Sequence, residues 1–182
     1  MKKVVTMALI MPMNLQKFAS QNGELIERAW LMHYIDTSFN GETATYERIG
    51  EDLEEYAVNL NPEVETKKNI WGENSTKVKG YQPQSEVGTY YAKKGDALFT
   101  KLMDIAMGRK TGDALKTTVV DVIVDSDGKQ ISAHKCTVTI IPQSYGGGTE
   151  GANVPYQIHY NGTPVSGTWK ADTKTFTVGV GA

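Results

Sequence analysis

A histidine and a cysteine two positions apart are the first side chains in this sequence that could do chemistry. His134 and Cys136 lie on a predicted strand, so their side chains share one face of it. An imidazole and a thiolate can both bind zinc, but a closed zinc site needs four such ligands. The remaining histidines, His33 and His159, show no paired-ligand spacing with either residue. The pattern therefore favours two ordinary strand residues over a metal site.

Two glycine-containing segments match ligand-binding loops in part. The Gly146–Gly148 run lacks the Lys-Ser/Thr pair of a phosphate-binding loop, and no helical pattern follows it. We therefore expect a mobile surface loop there. Segment 125–128 (Asp-Ser-Asp-Gly) resembles part of a calcium loop, yet its glycine comes two residues early and no glutamate closes it. A hairpin turn accounts for all four of these residues.

The rest of the sequence shows no catalytic pattern. No serine stands in a G-x-S-x-G motif, and no pair of carboxylates is marked out for acid–base work. We therefore expect no enzymatic activity, no catalytic residues and no cofactor.

Length and charge narrow the class further. A chain of 182 residues suits a single domain, and at that size it needs no covalent crosslink to be stable. Cys136 is the only cysteine, so it cannot form an internal disulfide. The net charge of −2 argues against a protein held to nucleic acid by neutralising phosphates.

Residues 1–29 are predicted to form an N-terminal arm, flexible or seeking a partner, ahead of one β domain over residues 30–182. The opening MKKVVTMALIMPM has the two lysines and the apolar run of a signal peptide, but no small-x-small cleavage site follows. The apolar run is also too short to cross a bilayer, which takes about 20 residues. An arm is favoured over an export signal.

A long alternation of residue types marks the region after the arm. It runs from Glu54 to Trp71, continues after the turn-like segment 72–75, and ends at Pro83. A period of two is typical of a strand with one buried face. We therefore predict a β-hairpin over about residues 54–82, with the face of Tyr56 and its even-numbered neighbours on the domain and the polar face towards water.

The remaining elements are one helix and several strands. Apolar residues at helical spacing predict a helix over about residues 96–108, capped by Asp96. Strands are predicted over 117–125 and 129–141, joined at Asp127-Gly128, and over 154–160 and 165–169, joined at Asn161-Gly162, with a last strand over 175–180. The predicted fold class is mainly β, a β-sandwich or barrel with one flanking α-helix.

Acidic residues are concentrated at the start of the predicted hairpin. Between Arg48 and Lys67 the chain holds six acids and no lysine or arginine. The acids are Glu51, Asp52, Glu54, Glu55, Glu63 and Glu65. They form either a solvated strand face or a wall that faces an anionic molecule without binding it.

Several stretches together resemble the major tail tube proteins of tailed bacteriophages. The order and spacing of LEEYAVNLNPEVETKKNIWG, KGYQP and GTYYAKKGDALFTKLMDIAMGR are similar to that family, and GGGTEGANVPYQIHYNGTPVSGTWKADTKTFT looks like its closing strands. The segment MNLQKFA at 13–19 resembles the opening of many phage structural proteins, which would make residues 1–12 a leader or a start-site artefact. The resemblance covers about residues 45–178.

The resemblance implies a structural virion protein. Members of that family form six-membered rings that stack into a hollow tail tube, through which DNA passes into the host without specific binding. The implied partners are other copies of the chain and the tape-measure, tail-completion and baseplate proteins, with no membrane partner. The protein would be synthesised in the host cytoplasm and reside in the virion tail. The candidate lumen or interface residues are Glu54, Glu55, Asn59, Glu63, Glu65 and Trp71.

Two other interpretations stay open. One is a related assembly protein, either the tube protein of a contractile injection or secretion system or a tail-terminator protein. The other is a monomeric β-sandwich that binds a small molecule or carbohydrate on Trp71, Tyr90, Tyr91 and Trp169 as stacking platforms. Sedimentation separates them, because a binding module stays a monomer.

Overall fold

The computed structural model of the protein describes residues 25–39, 41, 43–51 and 53–179. Most of the predicted arm over 1–29, with its leader segment, lies outside the described residues. Its described end contains a 3-10 turn at Arg28–Trp30. The Arg28 guanidinium donates a hydrogen bond of 3.2 Å to the carbonyl oxygen of Tyr56, which holds this turn against the domain.

Strands dominate the described residues. They are β1 (Leu31–Asp36), β2 (Tyr46–Arg48), β3 (Pro62–Lys68), β4 (Asn74–Tyr81), β5 (Gln84–Val87), β6 (Lys116–Val124), β7 (Gln130–Pro142), β8 (Gly146–Gly148), β9 (Gly151–Asn153), β10 (Tyr156–Lys170) and β11 (Thr175–Val178). The helix is α1 (Ala97–Gly108), and a second 3-10 turn spans Gly112–Leu115. The predicted class, mainly β with one α-helix, is confirmed.

Seven of these strands form one antiparallel sheet that curls into a half-barrel. Its order is β11-β10-β7-β6-β1-β2, and β5 pairs with the first half of β10. The predicted β6–β7 hairpin is confirmed, with its turn at residues 125–128. The Asp125 carboxylate accepts hydrogen bonds from the amides of Asp127 and Lys129 at 3.0 and 2.8 Å, and Gly128 takes φ +78°. This segment is a turn, as predicted.

Helix α1 covers one face of the sheet. Asp96 caps it by accepting a hydrogen bond from the amide of Phe99 at 3.1 Å, as predicted. Leu98 and Leu102 point into the core between the helix and the strands. The buried members of this core are Ile35, Tyr56, Val87, Leu98, Leu102, Val119, Val138, Ile140, Val154, Tyr156 and Ile158.

A second core fills the other face of the sheet, inside the curl. It contains Tyr34, Tyr46, Val120, Val122, Ala133 and Trp169. Val119 and Val120 belong to different cores, so β6 is buried on both faces. Burial on both sides explains why the sequence of β6 is almost continuously β-branched rather than alternating.

The predicted turn at Asn161-Gly162 is wrong. Strand β10 runs through this pair and stays antiparallel to β7 from Tyr156 to Ser166. A register shift between Asn161 and Val165 absorbs the extra residues as a bulge. Asn-Gly is turn-like locally, but the long partner strand β7 holds the chain extended.

The predicted mobile loop at Gly146–Gly148 is also wrong. These glycines form β8, which pairs antiparallel with β9. A Cβ on Gly147 would lie 1.9 Å from the carbonyl oxygen of Gly151, so the strands approach too closely for any side chain. Gly147 therefore serves close backbone packing, whereas an added Cβ on Gly146 or Gly148 would meet no atom within 4 Å.

Candidate assembly surface

The predicted hairpin is present, but it is shorter than expected. Among the described residues, strands β3 and β4 pair only with each other, from Pro62 opposite Tyr81 to Lys68 opposite Asn74. Pro62 is the first residue of its strand rather than a break within it, which suits a residue without an amide donor. We call residues 62–81 the projecting hairpin.

Residues 53–61 show the alternation predicted for a strand, yet they form no strand ladder with any other described segment. The ring of Tyr56 is buried against His33, with ring centroids 4.6 Å apart, and its hydroxyl bonds the Ser85 hydroxyl at 2.7 Å. Asn59 forms an isolated bridge with Gln84. Isolated contacts with the domain, rather than pairing with a long strand, therefore account for the period-two pattern of these residues.

The projecting hairpin leaves the domain with both faces in water. One face carries Val64 and its cross-strand partner Val78, with Tyr81 near the base. All three are exposed; Val64, for example, is 51% exposed. The prediction that even-numbered residues pack on the domain therefore holds for Tyr56 but fails beyond Val58, since Leu60 and Val64 face solvent.

The opposite face of the projecting hairpin is charged and balanced. Glu65 lies 3.3 Å from the ammonium groups of both Lys67 and Lys79. The hairpin holds three acids (Glu63, Glu65, Glu73) against four lysines (Lys67, Lys68, Lys77, Lys79). Glu65, one of the acids that are concentrated in the sequence, thus meets one lysine of its own strand and one of the neighbouring strand.

The tip of the projecting hairpin is an ordered turn that displays two large apolar side chains. The Asn69 carboxamide oxygen accepts hydrogen bonds from the amides of Trp71 and Glu73 at 3.0 and 2.9 Å, and its nitrogen donates to the Glu73 carboxylate at 2.8 Å. Ile70 is 96% exposed and Trp71 80% exposed. The turn is held by its own polar groups, so these side chains are not required for its shape.

The six candidate residues do not converge on one site. Glu54 and Glu55 lie exposed in the segment that precedes Asn59, and Glu63 lies at the base of the projecting hairpin. Glu65 is halfway along it, and Trp71 is at the tip. Of the neighbouring acids, Glu51 is paired with Lys93 at 2.6 Å. The candidates follow a line along the surface, which suits an extended contact better than a pocket.

An apolar groove lies at the base of the projecting hairpin, and sequence reasoning did not find it. Its cavity of about 450 Å³ is lined by Val58, Leu60, Tyr81, Pro83, Asp121, Cys136, Tyr160, Gly162, Thr163 and Pro164. We call it the base groove. It is built from the 58–60 segment, the end of β4, and the bulge of β10, which are far apart in the sequence. No pattern within a single segment of the sequence predicts this groove.

One carboxylate lies in the base groove. Asp121 is 31% exposed, and its Oδ1 lies 2.7 Å from Nδ1 of the buried His33. The other ring nitrogen of His33 is buried and has no hydrogen-bond partner among the described residues. An aspartate that orients a histidine supplies two of the three members of a catalytic triad, but among the described residues no nucleophile is bonded to that nitrogen.

The His134 and Cys136 pair does not form a metal site. The Cys136 thiol is buried and donates to the carbonyl oxygen of Asn161 at 3.3 Å, while burial raises the pKa of the thiol. A protonated thiol is a poor zinc ligand. His134 instead contacts the Ser166 hydroxyl at 3.3 Å. In the part of the chain that the structure describes, no three His, Cys, Asp or Glu side chains are grouped to hold a metal.

The aromatic residues considered as stacking platforms lie apart. Trp169 is buried in the second core, and Trp71 is at the hairpin tip. Tyr90 packs on Tyr156 and donates its hydroxyl proton to Asp96, whereas the Tyr91 hydroxyl donates to Glu150. The structure does not bring them together as a carbohydrate-binding surface.

Among the described residues, no helix combines the length and the apolar character needed to cross a membrane. A scan against protein-family models finds no match to this chain, and a search of curated protein sequences finds none either.

Proposed function

We propose that this chain is a structural protein that assembles with copies of itself into rings, six-membered like those of the family it resembles, and that the rings stack into a tail tube. The projecting hairpin is the observation that carries the proposal. It extends from a well-packed domain, contributes nothing to either core, and exposes Val64, Trp71 and Tyr81.

A hairpin of this kind is unfavourable for a protein that works alone. Two isolated strands are marginally stable in water, and their outer edges carry unpaired amides and carbonyls. Within the described residues, β3 and β4 pair with no other strand. A ring of identical subunits supplies the missing contacts, because each copy can cover the hairpin of its neighbour.

The same arrangement supports a passive role towards DNA. The proposed tube conducts DNA without specific binding, and Glu54, Glu55 and Glu63 are exposed acids that would repel phosphates wherever they face the channel. Such a conduit needs no catalysis and no cofactor. The proposed partners are other copies of the chain and the tape-measure, tail-completion and baseplate proteins of a virion tail.

Sedimentation and electron microscopy of the purified protein test the proposal. Over a range of concentrations we expect rings, and stacked rings at the highest concentration. A species that stays at the 20.0 kDa of the single chain throughout would contradict it and would favour a monomeric binding module. Particle morphology would separate a phage tail tube from the tube of a contractile injection system.

A further inference from the structure

We propose that the tip of the projecting hairpin of one copy docks into the base groove of the next copy. The inference rests on the proposed self-assembly and adds which two surfaces meet. Ile70 and Trp71 are the inserted side chains, and the groove is the cavity between Leu60, Tyr81 and Thr163.

The tip has the properties of an inserted anchor. Trp71 is a large side chain that is 80% exposed, on a turn that Asn69 already holds by three hydrogen bonds. A pre-ordered turn loses little conformational freedom on binding. Tryptophan is also enriched among the few residues that carry most of the energy of an interface.

The base groove has the properties of the receiving site. Its volume of about 450 Å³ lies within the range of pockets that take a large group, and its lining is mainly apolar. The cavity is open to solvent and is bordered by Leu60 and Tyr81, which are themselves exposed. Filling it would remove apolar surface of both copies from water.

A lysine beside the tip is complementary to the carboxylate of the groove, while the acid of the tip, Glu73, accepts a hydrogen bond from Asn69. Lys68 is exposed next to the tip, and the charged group in the groove is the Asp121 carboxylate. The lining residues, all within the described part of the chain, include no lysine or arginine. A lysine brought to this carboxylate gains a partner and meets no like charge.

Geometry requires that the two surfaces belong to different copies. Strand β3 spans Pro62–Lys68, so the tip stands about 23 Å from the base at ~3.3 Å per residue. Leu60, Tyr81 and Pro83 place the groove at that base. A paired hairpin cannot fold back on its own base, so the contact joins the tip of one copy to the groove of another. Such a head-to-tail contact closes into rings or continues as a filament.

Two single substitutions and their mixture test this contact. Trp71→Ser removes the anchor, and Thr163→Arg, at an exposed position, obstructs the groove. Each should raise the concentration at which half of the protein is assembled by about 30-fold or more, the effect of losing one strong anchor. Matched controls are Tyr145→Ser, an exposed aromatic elsewhere, and Thr173→Arg in the β10–β11 turn, both expected to assemble like wild type.

The mixture distinguishes this contact from a symmetric one. The Thr163→Arg copy keeps its tip and the Trp71→Ser copy keeps its groove, so native mass spectrometry of the mixture should show complexes with one copy of each. If the contact instead joined two hairpin tips, mixing the two variants would not restore assembly, because the Trp71→Ser copy has no intact tip. Assembly of Trp71→Ser at the wild-type concentration, or a mixture without paired complexes, overturns the docking. If the wild-type protein never assembles, that result contradicts the proposed function itself.

Discussion

The rings of Trp169 and Tyr46 meet edge to face, with centroids 5.4 Å apart, although their strands β10 and β2 are separated by β7, β6 and β1 in the sheet. Trp169 also lies 4.5 Å from the ring of Tyr34. The curled sheet is thus closed by aromatic packing at this end. Gln130 fixes the position by accepting a hydrogen bond from the Trp169 amide at 2.7 Å.

Removing the Trp169 ring should open this closure. We expect Trp169→Ala to lower the free energy of unfolding by about 3–5 kcal/mol, because a large ring leaves a cavity that the sheet cannot fill. Trp169→Phe should cost much less, since it keeps a ring and removes a buried indole N–H that has no hydrogen-bond partner in the described part of the chain. Urea unfolding measures both variants. Equal losses would show that the ring does not close the sheet.

The stability of the fold should depend on the buried apolar face of helix α1. Leu102 is fully buried between α1 and the sheet, so Leu102→Ala should lower the free energy of unfolding by about 2–5 kcal/mol. Met107 lies on the same helix but is 65% exposed, and Met107→Ala is the matched control with a change near zero. Thermal unfolding with the same midpoint for both variants would contradict the packing of α1 described above.

The projecting hairpin should be dispensable for folding and required for assembly. Pro62 and Tyr81 are paired, so replacing residues 63–80 by Asn-Gly closes the chain with a two-residue turn. We expect the melting temperature of the isolated subunit to stay close to that of wild type, because the hairpin touches neither core. Sedimentation should then show a monomer. Rings or tubes formed by the shortened chain would contradict the role of the hairpin.

Buried tyrosines should make the fold sensitive to alkali. Burial raises the pKa of Tyr56, Tyr156 and Tyr160 above the usual 10.0. Below about pH 10 they are protonated in both states and add no pH dependence. Above it the unfolded chain loses these protons first, so the free energy of unfolding falls by about 1.4 kcal/mol per pH unit for each tyrosine still protonated in the fold.

Urea unfolding between about pH 8 and pH 11 measures this slope. Tyr160→Phe removes one of the titrating groups and should give a shallower decline than wild type. Identical slopes for the two proteins would show that Tyr160 ionises as readily in the folded chain as in the unfolded one.

Reversing exposed acids should make the proposed tube retain DNA. Glu55 and Glu63 are exposed, and Glu55→Lys with Glu63→Lys should leave assembly intact. Glu65 is kept because it pairs with two lysines. Each new lysine in the channel would neutralise a phosphate. The slope of log K for DNA binding against log salt concentration should therefore become more negative by about 0.7–0.9 per contact.

The matched control for that experiment reverses Asp127 and Asp172, which lie in exposed turns. Tubes of both variants are incubated with DNA, and the DNA that remains after dilution is measured at low and high salt. Retention equal to that of the control would place Glu55 and Glu63 away from the channel.

Local signals explain which elements could be predicted from the sequence. Helix α1 carries its own cap and apolar stripe, and the β6–β7 turn carries an Asp-Gly pair, so both were predicted within a residue or two. The bulge in β10 could not be predicted, because the pairing with β7 overrides a turn-like Asn-Gly. Pairing with a long strand is a tertiary contact, and a short stretch of sequence carries no information about it.

The candidate surface was predicted in part for the same reason. Alternation located the projecting hairpin, and Trp71 at its tip was among the candidates. The start of the hairpin was misplaced because Tyr56 alternates with its neighbours through a single buried anchor and not through a ladder. The base groove was missed, since Leu60, Asp121 and Thr163 come together only in the folded chain.

The lysines of the projecting hairpin have a consequence for the subunit before it assembles. Open strands are templates for wrong pairing with any extended chain, and charges, lysine above all, are how natural proteins discourage it. Lys67, Lys68, Lys77 and Lys79 place four such charges on β3 and β4. If the chain assembles as proposed, these four lysines keep newly made subunits from pairing wrongly in a crowded cell until they meet the matching surface of another copy.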